Sequence, residues 1–223
     1  MKRFAVIGLG AFGSWVARAL TRSGFDVISI DMDGDRVDRF AHEVARAVVA
    51  DATDPLVLRK NGVAEVDAAV VSTGDDLAAS ILTVLALKEA HVARIVVKVP
   101  SPEAVRALER FDVEIVFPDK EAAERLAYTL ASSSVLEYIP LGKTHSIQEI
   151  GVPYNWIGRS LRDLALPTNE GIQVVALYDA LNGTWDAVPS ADRVITDSDV
   201  AIVAGGTARI EQLLRRKVKA DEE

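Results

Sequence analysis

Residues 4–13 read Phe-Ala-Val-Ile-Gly-Leu-Gly-Ala-Phe-Gly, and the order of those ten residues decides the fold. A short apolar strand runs directly into Gly8, Gly10 and Gly13, after which Phe12, Trp15, Val16, Ala19 and Leu20 recur at helical spacing up to Gly24. Strand, glycine turn and helix in that order give a G-x-G-x-x-G match the context that makes it informative. The glycines have separate tasks: Gly8 permits the tight turn, Gly10 lets a pyrophosphate approach the backbone, and Gly13 lets helix and strand pack closely. Around them, at Leu9, Ala11 and Phe12, the free N–H groups of the helix start and its positive end suit phosphate. The stripe of Phe12, Trp15, Val16, Ala19 and Leu20 is predicted to point at the sheet as core.

Outward from this hexapeptide, the second apolar run ends in Asp31-Met32-Asp33, close to the spacing of about 20 residues at which an acid receives the ribose hydroxyls. An acid there favours a free 2′-hydroxyl over a 2′-phosphate. Ligands of open α/β sheets lie beyond the carboxyl ends of the strands, so three further strand ends are candidates. They are Asp51-Ala52-Thr53, the stretch Ser72-Thr73-Gly74-Asp75, and Lys98. Asp51 serves equally well as a helix N-cap, and Lys98 equally well as a solvated lysine.

The rest of the first half repeats the opening pattern. β-Branched runs at residues 4–7, 27–30, 47–50, 68–71, 95–97 and 114–116 alternate with helical patterns, as in a parallel sheet covered on both faces. Ser101-Pro102 opens one helix as N-cap and first residue, burying Val105 and Leu108. A helix after Pro118 carries Ala123, Leu126, Ala127, Leu130 and Ala131 on one face, after the sheet is complete. It caps the sheet or crosses to a second subunit; a stripe of that kind makes the protein at least a dimer. Beyond Ser132, Ser133 and Ser134 the alternation stops. Residues 174–178 and 200–204 read as strands, Asn182-Gly183 as a hairpin turn, and a last helix buries Ile210, Leu213 and Leu214. The fold class is therefore α/β, a Rossmann-like doubly wound domain over residues 1–134 with a smaller α+β lobe over residues 135–223.

Composition sets the outer limits. With 49% hydrophobic and 26% charged residues the chain is globular, and a net charge of −8 argues against nucleic acid as a partner. The basic cluster Arg215, Arg216, Lys217 and Lys219 is a solvated helix end, offset by Asp221, Glu222 and Glu223. The absence of cysteine fits a reducing compartment and excludes thiolate chemistry. No apolar run approaches the roughly 20 residues of a membrane span, and none reads as an export signal. His42, His91 and His145 form no metal-binding spacing, His42 and His91 falling within predicted helices, and no nucleophile motif or Lys–Tyr pair announces catalysis.

These residues resemble a known family, the RCK (regulator of potassium conductance) proteins of the TrkA and KtrA kind. The resemblance rests on Gly8 to Gly13, Asp31-Met32-Asp33 with Val37, Asp51-Ala52-Thr53-Asp54 and Pro118-Asp119-Lys120-Glu121. In the lobe it rests on residues 157–164, Ile-Gly-Arg-Ser-Leu-Arg-Asp-Leu, and 197–205, Asp-Ser-Asp-Val-Ala-Ile-Val-Ala-Gly. It implies a cytoplasmic regulatory subunit at the inner face of the membrane, gating a membrane-embedded potassium channel or transporter according to the bound adenine nucleotide, ATP or ADP, NAD or NADH. It also implies dimers closing into an octameric ring, a divalent cation at Asp119, and a cyclic dinucleotide near Arg159 and Arg162. Members that distinguish ATP from ADP carry arginine where this chain has Ala11, so a guanidinium partner for a terminal phosphate is missing. The alternative function is a small NAD-dependent oxidoreductase.

Overall fold

The protein is described here by a computed structural model over residues 1–74, 76–131 and 135–220, and it divides into two compact units, Met1–Lys120 and Glu121–Glu223. In the first unit strands and helices alternate: β1 (Arg3–Ile7), α1 (Ala11–Arg22), β2 (Asp26–Asp31), α2 (Gly34–Phe40), β3 (Arg46–Val49) and α3 (Pro55–Lys60). Then follow β4 (Ala68–Val71), α4 (Leu77–Glu89), β5 (Ile95–Lys98), α5 (Pro102–Leu108), β6 (Glu114–Val116) and α6 (Pro118–Ala131). All strand pairs are parallel, in the order β3-β2-β1-β4-β5-β6. The order reverses between β1 and β4, which opens a crevice at their carboxyl ends.

The central strand shows why the apolar runs are continuous. Ala5, Val6 and Ile7 are all buried because successive side chains enter cores on opposite faces. Ala5 and Ile7 join Val71, Val84, Leu87 and Leu108, whereas Val6 joins Leu9, Ala17, Val27, Val37 and Phe40. Short polar residues start the helices: Asp33 accepts from the Arg36 N–H, Asp54 from Leu56, Asp76 from Ala79, and Ser101, followed by Pro102, from Ala104. Each such cap contributes about 1 kcal/mol.

Two sequence expectations need correction. The face of α1 turned to the sheet is built on Gly13 and Ala17, with Val16 and Leu20 half-buried; Ala19 and Trp15 are exposed, Trp15 at 63%. The small residues win that face because only they let the helix lie close to β1. Trp15 instead lies beside the Arg18 guanidinium, 5.4 Å from its ring centre. His91, expected within a helix, follows α4 in the left-handed conformation, and His42 lies in the turn after α2.

The division of the chain falls inside α6. No residue of that helix is buried, and Leu126 and Leu130 are 58% and 78% exposed. From Glu121 onward α6 belongs to the second unit, where Tyr128 stacks on Tyr138 and bonds to Gln148 and Glu211. Burial pushes the Tyr128 hydroxyl up to about 12, with the Glu211 charge adding to the shift. The end of the strand–helix alternation at Ser132, Ser133 and Ser134 lies outside the described residues, as do Asp75 and residues 221–223.

The second unit contains β7 (Val135–Leu141), β8 (His145–Gly151), α7 (Leu161–Leu164), α8 (Leu166–Asn169), β9 (Ile172–Asp179), β10 (Thr184–Asp186), β11 (Asp199–Gly206) and α9 (Thr207–Ala220). Its sheet is antiparallel, ordered β10-β9-β11-β8-β7. Trp156, Ile172, Leu177, Ile195 and Val203 form the core with Ile210, Leu213 and Leu214 of α9. The Asn182-Gly183 turn joins β9 to β10, with Gly183 at φ +67°. Arg215 is exposed near the end of α9; the side chains of Arg216, Lys217 and Lys219 lie outside the described residues.

Candidate functional site

At the carboxyl ends of the first unit's strands lies a cleft of about 400 Å³. It is built from the turn after β1. The Gly8 N–H donates to the Ile30 carbonyl at 2.8 Å and the Ser72 N–H to the Ile7 carbonyl at 2.7 Å, so that turn is stitched to β2 and to the end of β4. Gly8 has φ +93°, and a Cβ there would stand 2.1 Å from the Ser72 carbonyl oxygen. At Gly13 a Cβ would stand 1.9 Å from the Gly8 oxygen. Gly10 is different: among the described residues nothing lies within 4 Å of the position of its Cβ.

Gly10 is also the N-cap of α1, with no side chain capping the helix and no acid in its first turn. The leading N–H groups therefore point into the cleft with the positive end of the helix behind them, an arrangement that receives phosphate. Beside it Asp31, 9% exposed, is held by two backbone donors. The Leu9 N–H reaches Oδ2 at 2.6 Å and the Asp33 N–H reaches Oδ1 at 2.9 Å. A carboxylate fixed this way keeps lone pairs for a ribose diol.

The other strand ends complete the rim. Met32 lines it from β2, and Asp51, Ala52 and Thr53 from β3. The Thr53 N–H and hydroxyl both donate to Asp51 Oδ1, at 2.9 and 2.7 Å, and hold that carboxyl below the usual aspartate range. Thr73 and Gly74 line the cleft after β4, with the Thr73 hydroxyl 2.7 Å from that of Ser80. Lys98, 15% exposed, reaches in from β5, its ammonium 3.0 Å from the Asp119 carboxylate at the start of α6.

The cleft thus brings together Gly8, Gly10, Ala11, Phe12, Asp31, Met32, Asp51, Ala52, Thr53, Thr73, Gly74 and Lys98. Three sequence candidates do not line it. Leu9 turns its side chain into the core, and its N–H, expected to be free for phosphate, is taken by the Asp31 carboxylate; Gly13 acts through close packing; Asp33 caps α2. Asp119 is not among the lining residues either; its carboxylate pairs with Lys98, which is. Arg36, Asp76 and Thr83 line it without having been singled out in the sequence. In the second unit Arg159 donates to the Asp163 carbonyl at 2.7 Å and Arg162 pairs with Asp192 at 2.8 Å, so both guanidinium groups are engaged within the lobe.

Residues 4–118 match the TrkA-N domain family and residues 147–217 the TrkA-C domain family. The chain belongs to the TrkA-like RCK family. This RCK chain is 36% identical to the Ktr system potassium uptake protein C of Bacillus subtilis, over 96% of its own length and 97% of the relative's. It is 30% identical to the Ktr system potassium uptake protein A of the same organism, over 92% and 91% of the two lengths. Among solved structures it shares the fold of the GsuK channel bound to NAD, with a TM-score of 0.65 at 14% identity, matching 93% of this chain and 38% of that one. Among its described residues no helix is long and apolar enough to cross a membrane.

Proposed function

We propose that this chain is a cytoplasmic regulatory subunit that binds an adenine nucleotide in the cleft and gates a membrane-embedded potassium channel or transporter. The observation that carries this reading is the uncapped start of α1 beside the fixed Asp31 carboxylate. The first suits a pyrophosphate and the second a ribose with a free 2′-hydroxyl, in a chain whose full-length relatives are named potassium uptake proteins. Gly8, Gly10, Ala11, Phe12, Asp31, Met32, Asp51, Ala52, Thr53, Thr73, Gly74 and Lys98 are the contacting residues of this proposal, with the backbone of Leu9 and Asp33 and the packing of Gly13 in support. The open space at Gly10 is where the phosphates lie.

The site's role is to hold and report. Among the described residues its lining includes no histidine, tyrosine or cysteine to pass a proton beside a nicotinamide, which favours a sensor over an oxidoreductase. A divalent cation at Asp119 draws support from the family alone. Among the described residues no group of three His, Cys, Asp or Glu side chains could hold a metal, so phosphates, water and a second subunit would have to supply the remaining oxygens. The exposed Leu126 and Leu130 stripe supports assembly into dimers and, through them, an octameric ring. Attachment to the inner face of the membrane then runs through the transporter.

Calorimetric titration of ATP, ADP, NAD and NADH into one preparation tests the first half of this reading, and potassium flux through the partner transporter with and without the chain tests the second. Silence from all four nucleotides, or sustained NADH oxidation with a panel of carbonyl substrates, overturns the regulatory reading.

A further inference from the structure

Arg36 stands where helix electrostatics disfavours it. It lies in the first turn of α2, whose positive end repels a cation. Two carboxylates hold it: Nη1 is 3.7 Å from Asp31 Oδ2 and Nε is 3.2 Å from Asp33 Oδ2. At 47% side-chain exposure such pairs add little to stability, so folding alone gives a weak reason for an arginine here. The guanidinium nevertheless lines the cleft.

The connectivity of a nucleotide fixes what Arg36 would meet. With phosphates on the start of α1 and the ribose on Asp31, the base extends away from α1 toward the ends of β2 and β3. That end of the cleft is bounded by Met32, Arg36, Ala50, Asp51 and Ala52. Of these five, Arg36 alone offers a planar, delocalised and weakly hydrated cation, and the two carboxylates restrict its orientation before any ligand arrives. A guanidinium over the face of a π-system is attracted to it. Pairing with a 2′-phosphate is the competing use, and the buried Asp31 carboxylate beside that position repels it.

We propose that Arg36 stacks on the adenine ring and closes the base end of the cleft, making it a binding residue for every adenine nucleotide this site takes. The proposal rests on the nucleotide-binding reading above. Its test is titration of ATP, ADP, NAD and NADP into the full chain and into Arg36→Ala, Arg36→Lys and Arg36→Tyr, with a thermal melt of each to show that it is folded.

Stacking predicts that Arg36→Ala binds ATP, ADP and NAD about 5- to 30-fold more weakly through loss of the cation–π contact, and that Arg36→Lys, which keeps the charge but not the planar stacking face, recovers only part of that loss. Arg36→Tyr should recover to within about threefold of the parent, because an aromatic ring stacks without the ion pairs. Full affinity in Arg36→Lys, or a Tyr variant as weak as Ala, would reduce Arg36 to a holder of Asp31 and Asp33 and overturn the proposal. So would tight NADP binding lost in Arg36→Ala while NAD binding is kept, which would assign the guanidinium to a 2′-phosphate. If the parent binds and Arg36→Ala binds equally well, stacking alone fails. If the parent binds no nucleotide, the reading beneath it fails as well.

Discussion

Replacing Asp31 with alanine removes the proposed ribose contact and a structural one together, and the two separate cleanly in the measurement. The carboxylate accepts from the Leu9 N–H at 2.6 Å and the Asp33 N–H at 2.9 Å. Hydrogen bonds to a charged group contribute about 1.5–3 kcal/mol each, so the gross loss is about 3–6 kcal/mol. Water entering from the cleft can satisfy the part-buried Asp33 N–H, whereas the bond to the Leu9 N–H is buried. The net cost is then about 2–4 kcal/mol of the first unit's stability. A strand-end position alone gives no sign of this cost, which comes from the two backbone donors. Urea unfolding followed by far-UV circular dichroism should show an earlier first transition. Titration well below that transition should show ATP, ADP and NAD all weakened by a further loss of about 1–3 kcal/mol, since the ribose has lost its acceptor. A midpoint unmoved by more than about 0.5 kcal/mol, the usual effect of a surface substitution, would refute the structural half of the reasoning. Unchanged affinity would refute the other half.

Gly10→Val should abolish nucleotide binding while leaving the melting temperature near that of the parent, because the new side chain enters open space where the phosphates belong; retained affinity would end that pose. Ala11→Arg should raise the ratio of ATP to ADP affinity by supplying a guanidinium for the terminal phosphate, and an unchanged ratio would place residue 11 elsewhere. Leu126→Asp with Leu130→Asp should leave a folded chain, since both side chains are exposed within the protomer, yet disrupt the oligomer. Light scattering decides that point, and a parent protein already at 24.0 kDa would rule out assembly through this stripe.

Much of this architecture was legible in the sequence because the first unit is a parallel sheet buried on both faces. Six β-branched runs announced six strands, and the first glycine turn pointed to the cleft at their carboxyl ends. The second unit hid its first hairpin. The buried face of β8 carries Ser146, Gln148 and Ile150, so its inward positions read as polar and the usual alternation is lost. On β7, Pro140 and a mostly exposed surface suppress the same signal. Trp15 misled for the opposite reason: a large apolar residue at helical spacing looks like core, but the close approach of α1 admits only Gly13 and Ala17. Arg36 escaped notice because one arginine in a short charged helix looks like solvent-facing charge until Asp31 and Asp33 are seen to hold it at the cleft.

The three glycines of the first turn answer to different selective forces. Gly8 and Gly13 are demanded by the chain's own backbone, since any side chain at either would collide with a carbonyl oxygen. Gly10 meets no such obstacle. A lineage that abandoned its nucleotide but kept its shape would therefore retain the outer two and let the middle one drift. In a library screened only for soluble expression, substitutions should accumulate at residue 10 and be purged at residues 8 and 13. Of the whole motif, the middle letter alone records whether the cleft is still in use.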